Sequence, residues 1–484
     1  VSAAEDRGGG VPGALWPLLV IVGGLAAAGL LFGGLELGPD EAQYWWWAQT
    51  PAWGYFSKPP LIAWAIAAST SLCGDASACV RLPSLLAHLA AALVMAALGR
   101  TLGGTRLALL AGAAYLTLPG VAVSMQLAST DPLLLLCWSV GLLALIGALR
   151  APDAWGWPVL LGLALGSGLL AKQAMIYLPL GLLVAALIDQ RVRALLGSRR
   201  LVAIVAPAAI LVTPFLLWNR AQGWPTFRHT AENTALGRAG VHLDELGAFL
   251  AGQVGLLGPL LNVAVVTALV LAVRRGTTAD ERLLLAIGLP PLVLVSLQAL
   301  VSRAHDNWAA PAYPALLLVT LMILLRRGAD GLVRWSLGLN ALIAVLLPVL
   351  IILTSWRALP GRLDVLGPLR GWQALGTEVR AVLDREGIDT LVGADRKLLA
   401  ELLYTVRPPP SRVAALVAGE RAQNHFELTM PWRPVPGERV LVAGIAERPD
   451  GLPADVELRP VATLAMPFRP GRTRPVYLLE VVVR

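Results

Sequence analysis

Nine apolar stretches, each long enough to cross a hydrocarbon core of about 30 Å, dominate the chain. They fall near 14–35, 80–98, 105–120, 132–149, 201–218, 248–273, 282–300, 309–325 and 335–354. A tenth, from Trp157 to Ile188, is interrupted at Lys172-Gln173 and reads as two shorter spans with a polar turn between them. Eleven crossings follow. A soluble core saturates long before such a pattern arises. The chain is 56% hydrophobic and only 14% charged, with a mean hydropathy of +0.67, which excludes an ordinary soluble domain. The first run, Leu15 to Leu35, is too long for a signal-peptide core, and Glu5, Asp6 and Arg7 before it make no positive flank. It reads as an uncleaved first span.

The net charge of +8 would suggest nucleic acid in a soluble protein. Here the arginines gather in alternate loops, at 100–106, 150, 191–200, 274–282 and 326–334. The intervening loops hold fewer cations: Lys58, Arg81, Lys172, Arg220, Arg228, Arg238 and Arg303. That asymmetry is an orientation signal, so no nucleic-acid partner is expected. It puts the N-terminus in the cytoplasm of a bacterial inner membrane, with the first loop and everything after the last span outside. Cys137 lies within a span and reads as a packing residue. Cys73 and Cys79 share the first outer loop. An oxidising compartment favours a disulfide, against the alternative of two buried thiols.

The composition changes near Ser355. Residues 372–384 carry helical periodicity, "DTLVGAD" reads as a buried strand, and "RKLLAELLYTV" as a helix. "RVAALVAG", "RVLVAGI" and "PVYLLEVVV" are strand-like. The expected architecture is an all-α polytopic membrane domain over 1–354, with interfacial helices in its first outer loop, followed by a periplasmic α/β domain over 355–484.

Ionisable groups near a bilayer are costly and mark function by default. Seven of them fall on the outer side: Asp40, Glu41, Lys58, Asp131, Lys172, Arg303 and His305. Plain structural roles compete for each. Pro39-Asp40-Glu41 could cap an interfacial helix with the following tryptophans as its headgroup anchor. Thr130-Asp131-Pro132 could open a helix. Lys58 before two prolines could snorkel. His305 has no second His or Cys nearby, a poor metal site, and no cofactor is expected.

The combination carries a resemblance. "DEAQYWWW" and "WGYFSKPPLIAW", then "ACVRLPSLL" and "STDPLLLLCW", resemble membrane glycosyltransferases of the GT-C class. "GLLAKQAMIYLPLG", "PFLLWNRAQGWPTFRHT", "SRAHDNWAAPAYPALLL" and "NHFELTMPW" fit the same class. The branch is that of the lipid A aminoarabinose and lipopolysaccharide-core galacturonosyltransferases, with protein O-mannosyltransferases more distant. The resemblance implies a sugar donor carried on a polyprenyl phosphate and a glycolipid or glycan acceptor, among membrane lipids, in a monomeric enzyme. It implies catalytic roles for Asp40, Glu41 and Asp131, with Asp40 as the base and Asp131 orienting. Lys58 would hold the donor phosphate, with Lys172 and Arg303 as further candidates. Tyr44, Trp45, Tyr55, Arg81, His305, Asn307 and Trp308 would surround the sugar and the first isoprene units. Attack opposite the leaving phosphate implies inversion.

A transporter is the rival from another class. Transporters carry inverted repeats and midplane breaks, whereas the ionisable groups here gather at one face and no such halves are visible. A non-catalytic scaffold would leave the carboxylates and lysine without a role. The tail holds His425 and Glu427 in one polar-aromatic segment, and its expected part is to pack on the rest or to touch the acceptor.

Overall fold

The computed structural model describes residues 12–234, 240–356 and 364–484. Glu5, Asp6 and Arg7, used against a signal peptide, and Arg238, used for orientation, lie outside the described residues. The chain forms two compact units. One comprises residues up to Gly29, Lys58–Ile62 and Arg81–Leu350; the other comprises Leu30–Ser57, Ala63–Val80 and Ile351–Arg484.

The first unit is helical. Among the described residues, seven helices of the chain are long and apolar enough to span a membrane: Leu15–Phe32, Ser77–Leu116, Asp131–Arg150, Arg200–Ala221, Ala279–Val301, Asp306–Arg326 and Asp330–Ser355. The chain is a multi-pass membrane protein. Ser77–Leu116 holds two of the expected runs, divided where Gly103 and Gly104 leave helical geometry. The interrupted stretch forms two short helices, Gly156–Ala171 and Tyr177–Ile188, around an extended Lys172. One expectation is corrected. Residues 248–273 do not form one straight span but two helices, Leu243–Leu257 and Pro259–Arg275, bent by 108°. Gly258 sits between them at φ +87°, a conformation open to glycine. Pro259 has no N–H to continue the first helix and is suited to start the second.

The second unit is built on a five-stranded mixed sheet. Its strands are β1 (Thr390–Gly393), β2 (Arg412–Ala415), β3 (Arg439–Gly444), β4 (Val456–Arg469) and β5 (Arg472–Val483). The order is β2-β1-β3-β5-β4. β1 runs parallel to β2 and β3, and β5 is antiparallel to β3 and β4. Alternation along the strands divides the core between the two faces. Leu391, Leu441 and Leu478 pack with helices Trp372–Glu386 and Arg396–Thr405 through Leu375, Val379, Leu398 and Leu402. Val392, Val440, Val442, Leu479 and Val481 pack on the opposite face with Trp432. The sequence did not announce β4. It is an edge strand, largely solvated and interrupted by Pro460 and Pro467, features that weaken any strand signal.

Part of the loop after the first span belongs to this unit. It contributes the helix Pro39–Gln49 and most of the helix Leu61–Cys73. Cys73 and Cys79 are bonded to each other.

Candidate active site

In the second unit, the adjacent carboxylates Asp40 and Glu41 have separate tasks. Glu41 is buried and its Oε2 accepts the Gly38 N–H at 2.9 Å, serving the start of its own helix. Asp40 does no capping. Its side chain is 65% exposed and its Oδ1 accepts from Arg396 Nη1 at 2.9 Å. The same Arg396 nitrogen donates to Gln43 Oε1 at 2.8 Å. Gln43 is buried one turn after Asp40.

The aromatic residues behind Asp40 are engaged within the unit. Trp45 donates to Asp75 Oδ1 at 2.7 Å, meets Tyr404 edge-on and lies under the Arg407 guanidinium. Tyr55 stacks on Trp47 with ring centroids 4.5 Å apart and donates to the Trp47 carbonyl. His425 meets both rings edge-on, and its Nδ1 accepts the Phe56 N–H. Burial pushes its imidazole down to about 4. Tyr44, Trp45 and Tyr55, read from the sequence as walls of a sugar site, are therefore buried in a knot between loop and tail. Glu427, in the same segment as His425, accepts from Asn424 and from the Gln423 N–H.

In the first unit, Asp131 begins a span, and its carboxylate faces away from its own helix. Oδ1 accepts from Lys172 Nζ at 2.6 Å and Oδ2 from Asn307 Nδ2 at 2.7 Å. The Asp131 and Lys172 side chains are 12% and 11% exposed. The break at Lys172 explains how a lysine between two short helices reaches this carboxylate. Lys58 is half-buried before the buried Pro59 and Pro60. Partial burial lowers the His305 pKa, and the nearby charges of Arg303, Lys172 and Lys58 lower it further against Asp306. Three cations thus act on one position. Arg303 is exposed and donates to the Asn233 carbonyl and to its Oδ1 at 3.1 Å. Trp308 meets His305 edge-on and packs beside Phe249 and Ala299. Arg81 is fully buried.

A largely apolar cavity of about 320 Å³ opens beside this cluster, with Asp131, Asn307, His88 and Tyr115 among its walls. His88 Nδ1 lies 3.0 Å from the Tyr115 hydroxyl. A mostly apolar lining with a few polar groups is the composition of a pocket for an apolar ligand. The sequence reading missed Arg396, Gln43, Asp75, His88 and Tyr115.

The fold is that of the GT-C class. The structure of ArnT from Cupriavidus metallidurans bound to undecaprenyl phosphate superposes with a TM-score of 0.67 at 18% identity, over 96% of this chain and 98% of that one. A family model described as dolichyl-phosphate-mannose-protein mannosyltransferase matches residues 57–218. The lipid A galacturonosyltransferase RgtD of Rhizobium johnstonii is 33% identical over 80% of this chain and 81% of its own length. The lipopolysaccharide core galacturonosyltransferase RgtA of the same organism is 26% identical over 90% of both chains. The chain belongs to the membrane glycosyltransferase family of these galacturonosyltransferases. It is a glycosyltransferase.

Proposed function

We propose that the chain transfers a hexuronic acid from a polyprenyl-phosphate donor to a lipid A or lipopolysaccharide-core acceptor. The reaction takes place at the outer face of the bacterial inner membrane, with the N-terminus cytoplasmic and the tail periplasmic. The observation that carries this reading is the 33% identity to a lipid A galacturonosyltransferase over four-fifths of the chain. The mannosyltransferase-type family model covers only residues 57–218, so a glycolipid acceptor is favoured over a protein one.

In this reading, residues 1–354 hold and turn over the donor, and 355–484 form the periplasmic domain of a monomer. Asp40 accepts the proton of the acceptor hydroxyl. The oxygen attacks the anomeric carbon as the bond to the phosphate oxygen breaks, inverting that centre. The polyprenyl phosphate leaves with one more negative charge than it bore in the donor. Lys58 opposes that developing charge, and an interaction that grows toward the transition state accelerates the step. Lys172 is engaged by Asp131, which leaves Arg303 as the second candidate for the phosphate. Asp131, fixed by Lys172 and Asn307, orients the acceptor. The test is transfer by the purified chain from a polyprenyl-phosphate-linked hexuronic acid to lipid A. A product one hexuronosyl residue heavier supports the reading. Transfer to a peptide hydroxyl with none to lipid A overturns the acceptor.

A further inference from the structure

Arg396 holds the carboxylate that the proposed reaction uses, yet it comes from the tail, 356 residues further along the chain. Several observations set it apart from a chance surface contact. It is the first residue of the helix Arg396–Thr405, whose N-cap Asp395 accepts the Lys397 and Leu398 N–H groups at 2.9 Å. A cation in the first turn opposes the helix dipole, so the arginine does not serve its own helix. That helix is anchored: Leu398 and Leu402 lie in the sheet core, and the backbone carrying the guanidinium is fixed.

The position within the sheet is also telling. β1 connects through this helix to β2 on one side, while β3 lies on the other side of β1. Arg396 follows the carboxyl end of β1 at that divergence, where open α/β sheets place functional groups. The helix Pro39–Gln49 meets it there. A single Arg396 nitrogen bridges Asp40 Oδ1 and the buried Gln43 Oε1, tying an exposed carboxylate to a fixed neighbour. An exposed ion pair of this kind adds little to stability, so its value lies in orientation.

We propose that Arg396 is a positioning residue for the transfer reaction: it sets the Asp40 carboxylate in its working orientation, so the tail domain takes part in the chemical step. This rests on Asp40 being the base. The experiment compares kcat, KM for the polyprenyl-phosphate-linked sugar and the thermal unfolding midpoint in detergent for the wild-type chain, Arg396→Ala, Arg396→Lys and Asp40→Asn. Arg396→Ala is expected to lower kcat on the order of 10²-fold, the scale of a misplaced reacting group. Its donor KM should stay within about threefold, and its midpoint should move by no more than about 4 °C. Arg396→Lys should restore part of kcat, since an ammonium supplies the charge without the planar fork. If Arg396→Ala does not fold, Arg396→Gln keeps the polar stem without the charge and carries the same comparison. A kcat within about twofold of wild type in Arg396→Ala, with Asp40→Asn inactive, overturns the inference and leaves the base assignment intact. A raised KM with unchanged kcat makes Arg396 a substrate-binding group and also overturns it. Near-normal activity in Asp40→Asn removes the reading beneath it.

Discussion

The two units hold their leading carboxylates in opposite ways. Asp131 is almost wholly buried and gripped from two sides by Lys172 and Asn307. Asp40 stands largely exposed, steadied by Arg396. Burying a charge is costly unless a partner compensates it, so the Asp131–Lys172 pair is a fixture whose loss the fold would register. Asp40 keeps solvent access, the condition for the base role proposed for it. The same contrast recurs one residue away, where buried Glu41 serves the backbone. Burial, more than residue type, separates the carboxylates held by the fold from the one proposed as the base.

The comparison can be broken first at its buried end. Lys172→Ala should destabilise the membrane unit by about 3–5 kcal/mol, because it strands the Asp131 charge. Thermal unfolding in detergent reads this directly. Removing Asp131 as well should return part of the loss, and a double variant as unstable as the sum of the two singles would dissolve the pair.

Lys58→Ala should leave the fold intact and slow transfer on the order of 10²-fold, with weaker donor binding. Lys58→Arg should recover only part. Unchanged donor affinity in Lys58→Ala would pass the phosphate to Arg303.

A smaller effect is expected from His425, the buried hinge of the aromatic knot. Its imidazole titrates near 4 in the folded chain and near 6.5 when unfolded. The unfolded state therefore binds the extra proton across that window. Stability is complete above about pH 6.5 and falls toward pH 4, by about 2 kcal/mol at pH 5. Unfolding midpoints of wild type and His425→Phe between these pH values check it. The variant should show a flatter dependence.

Much of the fold could be read from the chain because its signals are local. Apolar run length marked the helices, and the short apolar runs in "DTLVGAD" and "RVLVAGI" marked two strands of the sheet. The bend at Gly258-Pro259 had a local signal too, but it sat inside an apolar run long enough to imply one span. Of the site, Asp40, Lys58, Asp131 and Lys172 stood out as charges beside apolar runs. What could not be read was who meets whom. Arg396 looks like any solvent-facing arginine of a soluble helix, and Asp131 with Lys172 are 41 residues apart. Trp45 and Tyr55 have the composition of a ligand wall, and only the structure shows the tail's Tyr404, Arg407 and His425 against them.

The most direct test sets Asp40→Asn against Asp131→Asn in the purified chain, recording transfer rate and unfolding midpoint for each. An amide in place of the Asp40 carboxylate keeps the shape and the exposed position but cannot take a proton. Asp40→Asn should therefore lose transfer by roughly 10²–10⁴-fold, the worth of a general base, with its midpoint unchanged. Asp131→Asn leaves Lys172 buried without its counter-charge and should lower the midpoint. Near-normal transfer by Asp40→Asn, or an unchanged midpoint in Asp131→Asn, would contradict the division of labour between the two carboxylates.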